Sequence, residues 1–302
     1  MQNKYLICIL GPTASGKTKL AIEAANYFDT EIISTDSRQF YKEMTIGTAK
    51  PTPEELAQAK HHFIDTLSVK DKYSAGQFEH DALEKIAELH KTKDVVVLAG
   101  GSGLYINAIL FGIDPFPEIS KETRAKVVNI YKEGGIEALK NELRKLDPEH
   151  YITVDLDNHR RLMRALEVCF ASGSTYSSFR KQEAKARNFK VIKIAYDRDR
   201  EKLYERINRR VEIMIAQGLE EEVKALIPHK DAYALNTIGY KELFPYLEGE
   251  ISLEEAVELI KRNSRRYAKR QITWFGNDKE ISWISPSIET KNLMELIKLE
   301  MK

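Results

Sequence analysis

Cysteine is scarce in this sequence: only Cys8 and Cys169 occur in 302 residues, and both lie inside apolar runs. Two such residues make neither a disulfide framework nor a cysteine-based zinc site, and two buried thiols are expected. Long hydrophobic runs are missing as well. Nothing approaches the ~20 apolar residues of a membrane-spanning helix, so no membrane partner is expected. Met1-Gln2-Asn3-Lys4 leads straight into the apolar segment from Tyr5 to Leu10 with no small-residue cleavage site, so no secretory signal is read. These absences predict a cytoplasmic location. Net charge is equally small, with 47 Lys and Arg against 46 Asp and Glu, or +1.

Charge is uneven, however, and distribution matters more than the sum. Cations crowd into Arg160-Arg161-Leu162-Met163-Arg164, Arg180 to Lys190, Arg198 to Arg210 and Lys261 to Arg270. Acids collect at Glu54-Glu55, Glu220-Glu221-Glu222 and Glu248 to Glu255. A basic face on a nearly neutral protein is the expectation.

The first ~110 residues read as alternating strands and helices, the pattern of a parallel sheet covered on both faces. Strands are expected at Tyr5 to Leu10, Glu31 to Ser34 and Asp94 to Ala99, with helices at Thr18 to Phe28, Ala75 to His90 and Gly103 to Leu110. After Asp114-Pro115-Phe116-Pro117 the pattern is helical only, through Lys121 to Leu146 and Asn158 to Ser172. The strand signal returns once, at Lys190 to Tyr196, followed by helices to Gln271. The expected architecture is therefore α/β: a P-loop-type parallel sheet flanked by helices over 1–115 and 188–302, with an inserted all-helical subdomain over 116–187.

Gly11-Pro12-Thr13-Ala14-Ser15-Gly16-Lys17-Thr18 matches G-x-x-x-x-G-K-[ST] between an apolar strand and a helix. Glycines let backbone N–H groups turn around phosphate oxygens, and the helix N-terminus adds its positive end. Lys17 supplies a point charge, and the Thr18 hydroxyl can reach a magnesium ion. A di- or triphosphate ligand follows, but not which one. The second strand leads into Ser34-Thr35-Asp36-Ser37, at the sheet edge where ligands sit in open α/β folds. Asp36 is a magnesium ligand, a general base or a turn acid. The third strand ends in Gly100-Gly101 where a Walker B acid would fall, which weakens an ATP-hydrolysing reading.

Within Lys261 to Arg270, Lys261, Arg265 and Lys269 form one i, i+4 row and Arg262, Arg266 and Arg270 the row beside it. Like charges so placed cost a helix ~0.2 to 0.5 kcal/mol per pair, so the stripe suggests an anionic partner. In Arg160 to Glu167, Leu162 and Leu166 recur at helical spacing with arginines projecting elsewhere. His61-His62 lacks metal-ligand spacing and reads as structural.

Taken together, these segments resemble the tRNA dimethylallyltransferase family, also called tRNA isopentenyltransferases. The resemblance spans nearly the whole chain. Beyond the phosphate loop it is carried by Asp36-Ser37-Arg38-Gln39-Phe40-Tyr41, Ile46-Gly47-Thr48-Ala49-Lys50-Pro51, Tyr73-Ser74-Ala75 and Gly100-Gly101-Ser102-Gly103-Leu104-Tyr105. It continues in Asn158-His159-Arg160-Arg161, Arg164-Ala165-Leu166-Glu167, Gly218-Leu219 with Glu221-Glu222-Val223, Ile238-Gly239-Tyr240, and Ala268-Lys269-Arg270-Gln271-Ile272-Thr273-Trp274-Phe275.

The resemblance implies transfer of a dimethylallyl group from dimethylallyl diphosphate to N6 of adenosine 37 in tRNA, with magnesium required and diphosphate released. In it the phosphate loop, Gly11 to Thr18, holds the diphosphate and Thr18 the metal. Asp36 becomes the base, with Lys17, Thr18 and Arg206 acting on the diphosphate. The tRNA contacts of the family fall on Asp36, Ser37, Arg38, Gln39, Ser102, Arg124, Arg160, Arg161, Leu162, Met163 and Arg164. Position 102 is Ser where the family usually has Thr, which keeps the hydroxyl. No Cys/His pair pattern occurs near Lys302, so a bacterial type without the zinc-finger extension of some eukaryotic members is expected, as is a monomer. No Asp-Asp-x-x-Asp motif of chain-elongating prenyl synthases occurs. The runner-up is a nucleotide-binding reading, a small-molecule or nucleotide kinase that binds ATP in the same loop.

Overall fold

Alternation along the first strand, β1 (Tyr5–Leu10), divides the core in two. Tyr5, Ile7 and Ile9 enter one apolar cluster, and Leu6, Cys8 and Leu10 enter another on the opposite face. All six residues are buried, as expected for a parallel strand covered by helices on both sides. The computed structural model describes residues 3–180 and 185–301. Lys181 to Ala184, within the basic run from Arg180 to Lys190, lie outside the described residues.

From β1 the chain runs through α1 (Lys17–Tyr27), β2 (Ile32–Ser34), α2 (Pro53–Gln58), β3 (His61–His62), α3 (Ala75–Leu89), β4 (Val95–Gly100) and α4 (Gly103–Phe111). Four helices follow: α5 (Lys121–Leu146), α6 (Pro148–Thr153), α7 (His159–Ser172) and α8 (Tyr176–Phe179). The chain continues with β5 (Lys190–Tyr196), α9 (Arg200–Ala216), α10 (Leu219–Ala225), α11 (Tyr240–Leu247), α12 (Leu253–Gly276), β6 (Ile281–Ile284) and α13 (Thr290–Glu300). Local chemistry sets many of these starts. Thr52 and Ser74 form capping boxes with Glu55 and Gln77, and Ser120, Asn158, Asp199 and Ser252 each accept a first-turn amide.

The chain splits into two compact units, Met1–Leu110 with Ala186–Lys302, and Phe111–Lys185. The first unit holds a parallel sheet of order β3-β2-β4-β1-β5-β6. Since β4 lies between β1 and β2, the segments leaving their C-terminal ends meet at one edge. Those segments are the phosphate loop, Thr35-Asp36 and Gly100-Gly101. A third apolar cluster joins α9 to α12 with Tyr41, Met44 and Val69.

In the second unit α5 and α7 pack through Val127, Leu139, Leu143, Leu162, Ala165 and Leu166. α5 bends at Gly135, whose φ is 63°. The strand signal returns twice rather than once: β6 pairs with β5 at the sheet edge. It has two exposed residues, Ser282 and Trp283, so its apolar signal is faint. The two-residue β3, α2 and α13 were likewise not predicted.

Candidate functional site

The phosphate loop leaves β1 at Gly11, φ 132°, and enters α1 after Gly16, φ 100°. Three of its carbonyls are each held by a cation. Lys17 Nζ donates to Pro12 O at 2.8 Å, Arg206 Nε to Ala14 O at 2.8 Å, and Arg198 Nε to Ser15 O. The Thr13 amide donates to Gln271 Oε1 at 3.0 Å. The Ser15 hydroxyl is buried and has no partner among the described residues, an orphan that a bound phosphate oxygen would satisfy.

Cations dominate the surroundings. Burial first, then repulsion from Arg210, lowers the Lys17 ammonium to about 8, against a smaller upward pull from Asp36. Arg210 and Arg198 are also lowered, by burial and then by Arg206. A concentration of cations of this kind calls for a polyanion. Arg198 and Arg210 were not singled out from the sequence. Arg210 lies one turn after Arg206 on α9, so the i, i+4 spacing within the run Arg198 to Arg210 was the available signal.

Asp36 is half-buried beside this cluster. Its Oδ1 accepts the amides of Arg38 at 2.8 Å and Gln39 at 3.3 Å. No protein donor reaches Oδ2 among the described residues. Burial raises the carboxyl above its ordinary value, against the pull of those two amides, Lys17 and Arg38. A raised carboxylate with a free oxygen can take up a proton. Next to it the Ser37 amide donates to Ser102 Oγ at 3.2 Å, and the Tyr267 phenol lies beside Ser102. The Arg38 guanidinium lies over the Tyr233 ring at 5.1 Å, with its Nε unpartnered among the described residues.

The turn after β4 has no room for an acid. A Cβ on Gly100 would stand 2.0 Å from Thr35 Oγ1 and 2.9 Å from Thr35 backbone, and one on Gly101 would stand 2.4 Å from Gln271 Nε2. Glycine there lets β4 close against β2 and α12, and the Walker B position of an ATP-hydrolysing site is physically closed. Among the described residues no cluster of three or more His, Cys, Asp or Glu could hold a metal. A magnesium ion at Thr18 would draw its remaining ligands from phosphate oxygens and water, as that ion commonly does. The Thr18 hydroxyl, at the start of α1, fits that arrangement.

Arg124 and the segment from Arg160 to Arg164 belong to the second unit. Arg124, Arg160 and Arg161 are exposed, with no acid partner among the described residues. Arg164 contacts Glu167 at 3.4 Å and lies over the Phe116 ring. Leu162 is fully buried in that unit's core and anchors α7, and Met163 packs partly against it. The stripe on α12 is less free than its sequence suggests. Lys261 pairs with Glu212 and Glu258, each at 3.0 Å, and Arg265 donates to Asn208 Oδ1. Arg262, Arg266, Lys269 and Arg270 remain exposed.

Residues 39–278 match the family model described as IPP transferase. The chain is 52% identical over 295 residues to the tRNA dimethylallyltransferase of Christiangramia forsetii, covering 98% of each chain. It is similar in structure to a full-length tRNA isopentenylpyrophosphate transferase from Bacillus halodurans, with TM-score 0.72, 35% identity, and 100% and 97% of the two chains covered. A eukaryotic dimethylallyltransferase acting on tRNA aligns at TM-score 0.74 and 27% identity, over 90% of this chain and 70% of that one. No helix among the described residues is long and apolar enough to cross a membrane. With a family model spanning most of its length and a relative identical at half of its positions, this chain belongs to the IPP transferase family.

Proposed function

We propose that this protein transfers a dimethylallyl group from dimethylallyl diphosphate to N6 of adenosine 37 of tRNA. The observation that carries this reading is the pairing of a cation-rich phosphate loop with a carboxylate that has one oxygen free. In the reaction a bond forms between N6 and the allylic carbon while the bond from that carbon to the diphosphate oxygen breaks. The N6 proton passes to Asp36 Oδ2, and diphosphate leaves.

Positive charge grows on the allylic carbon and negative charge on the departing diphosphate. Donors fixed on that diphosphate therefore lower the barrier. Lys17, Arg206, the loop amides and the Ser15 hydroxyl serve this role, with Arg198 and Arg210 supporting the loop and its approach. Thr18 would hold a magnesium ion, whose chemistry is further charge neutralisation on the leaving group. An exocyclic adenine amine is a poor nucleophile because its lone pair is delocalised into the ring, so Asp36 must orient it as well as accept its proton. Ser37, Arg38, Gln39 and Ser102 line that approach. The adenine must leave the anticodon-loop stack, which suits recognition of splayed single-stranded bases. Arg124, Arg160, Arg161 and Arg164 supply phosphate contacts. The protein acts as a cytoplasmic monomer.

The test is incubation of the purified protein with unmodified tRNA, magnesium and dimethylallyl diphosphate, followed by nucleoside mass spectrometry. The expected result is the mass gain of one dimethylallyl group on adenosine 37. ATP turnover independent of tRNA, with no such gain, would transfer the protein to the kinase class.

A further inference from the structure

Three segments that the transfer chemistry leaves without a task are Ile46 to Pro51, Glu221-Glu222-Val223 and Ile238-Gly239-Tyr240. Gly47 and Glu222 are 175 positions apart and Glu222 and Tyr240 are 18 apart, yet the fold joins all three segments at one carboxylate. Glu222 Oε2 accepts the amides of Thr45 at 3.0 Å and Ile46 at 2.8 Å. Its Oε1 accepts the amide of Gly47 at 3.0 Å and the hydroxyl of Tyr240 at 2.6 Å. Three consecutive backbone N–H groups and one phenol thus converge on a single side chain.

The arrangement is tight on both sides. Tyr240 is fully buried, and its ring lies so close to Gly47 that a Cβ there would stand 2.5 Å from the ring. Tyr240 opens α11, whose preceding Gly239 amide is held by Glu242 Oε2 at 2.8 Å, and Glu242 is in turn held by Asn263 of α12 at 2.9 Å. The loop is therefore fastened to a rigid helical layer.

From the loop the connection runs on to the site. The carbonyls of Thr48 and Ala49 both accept the Gln39 side-chain amide, each at 3.2 Å. Ala49 has φ 50°, a left-handed conformation that a free loop would not hold by preference. The Gln39 backbone amide in turn donates to Asp36 Oδ1 at 3.3 Å. Lys50, whose side chain is 3% exposed, closes the same loop by donating to Tyr41 O at 2.6 Å and pairing with Asp65.

We propose that Glu222 is a positioning residue for the transfer: by gathering the amides of Thr45, Ile46 and Gly47 it fixes the loop whose carbonyls aim Gln39, and through Gln39 the carboxylate of Asp36. This rests on the transfer reading above. Loss of the Glu222 charge leaves the phosphate loop untouched, because none of these hydrogen bonds reaches Gly11 to Thr18. Its effect should fall on the nucleophile side alone, where a small misplacement of a reacting group costs up to about a hundredfold in rate.

The experiment compares wild type with Glu222→Gln, Gln39→Ala, the double variant, and Glu220→Gln as control, since Glu220 on the same helix bonds Tyr246 rather than the loop. Wild-type turnover first establishes the transfer reading independently. Single-turnover rates are then measured well below each variant's melting temperature, together with the affinity for dimethylallyl diphosphate. Glu222→Gln should lower the rate by about tenfold to a hundredfold, with diphosphate affinity within about twofold of wild type. The double variant should be no slower than the worse single one, because both residues act along one path. Amide hydrogen exchange should quicken over 36–49 in Glu222→Gln and nowhere in the phosphate loop, a result readable whether or not the protein transfers a prenyl group. Unchanged exchange over 36–49, additive rate losses, or equal losses in rate and diphosphate affinity would overturn the proposal.

Discussion

The Gln271 side chain bridges the Thr13 amide and the Gly101 carbonyl, at 3.0 and 2.8 Å, and so ties α12 to both the phosphate loop and the turn after β4. Gln271 is 7% exposed. Replacing it with Leu of similar size would leave the buried Gly101 carbonyl unmet, at a cost of about 1 to 3 kcal/mol, and the half-buried Thr13 amide unmet at a smaller cost. We expect chemical denaturation of Gln271→Leu to show a loss of that order and diphosphate affinity to fall with it. Stability equal to wild type would mean that water replaces the amide at no cost.

Asp36 should show a trade between stability and activity. Its folded-state proton affinity is raised by burial above that of the unfolded chain, whose ordinary value is 3.8. The folded protein then binds this proton more tightly, so the carboxylate costs stability progressively as pH rises from about 4, and the cost persists at neutral pH. Asp36→Asn removes the charge, so its melting temperature should exceed that of wild type at pH 7, with the gap closing towards pH 4. Its single-turnover rate should fall by ~10² to 10⁴ with both substrates bound. Extra magnesium should not restore the rate; full rescue would make Asp36 a metal ligand instead.

On the proposed function, Lys17 should link diphosphate binding to protons. With its ammonium lowered to about 8, the group is mostly charged at pH 7 and mostly neutral at pH 9. A bound diphosphate favours the charged form, so binding should take up about 0.1 proton at pH 7 and about 0.9 at pH 9. Calorimetry in buffers of different ionisation enthalpy measures this directly. In Lys17→Met the pH-dependent part should vanish; its survival would assign the proton to another group.

On α12 the exposed arginines and the paired lysine should separate. Arg262→Ala combined with Arg266→Ala should weaken tRNA binding and reduce its salt dependence by about one unit of slope for each phosphate that is no longer neutralised. Lys261→Ala should leave binding close to wild type, because Glu212 and Glu258 already neutralise it. Equal effects from both changes would show that tRNA displaces those acids.

Much of the first unit was legible because its signals are local. The strand from Tyr5 to Leu10, the glycines and lysine of the phosphate loop and, in the second unit, the periodicity of α5 and α7 depend on neighbours a few positions apart. β6 was not legible, since an edge strand with Ser282 and Trp283 exposed lacks the continuous apolar run of a central one. The candidate site was also readable in the sequence: the G-x-x-x-x-G-K-[ST] run, Asp36 after the second strand and the Gly100-Gly101 pair are matters of residue type and order.

Tertiary structure alone decided which distant groups meet. Gln271 completes the phosphate loop 258 positions earlier, Arg198 and Arg210 join Arg206 around it, and Glu222 holds a loop 175 positions away. Gly100 and Gly101 are required by Thr35 and Gln271, and Lys261 loses its apparent freedom to Glu212 on another helix. Residue type fixes what a side chain can donate or accept. Only packing, by bringing strands and helices into register, fixes which partner is within about 3 Å and whether water is excluded when it arrives.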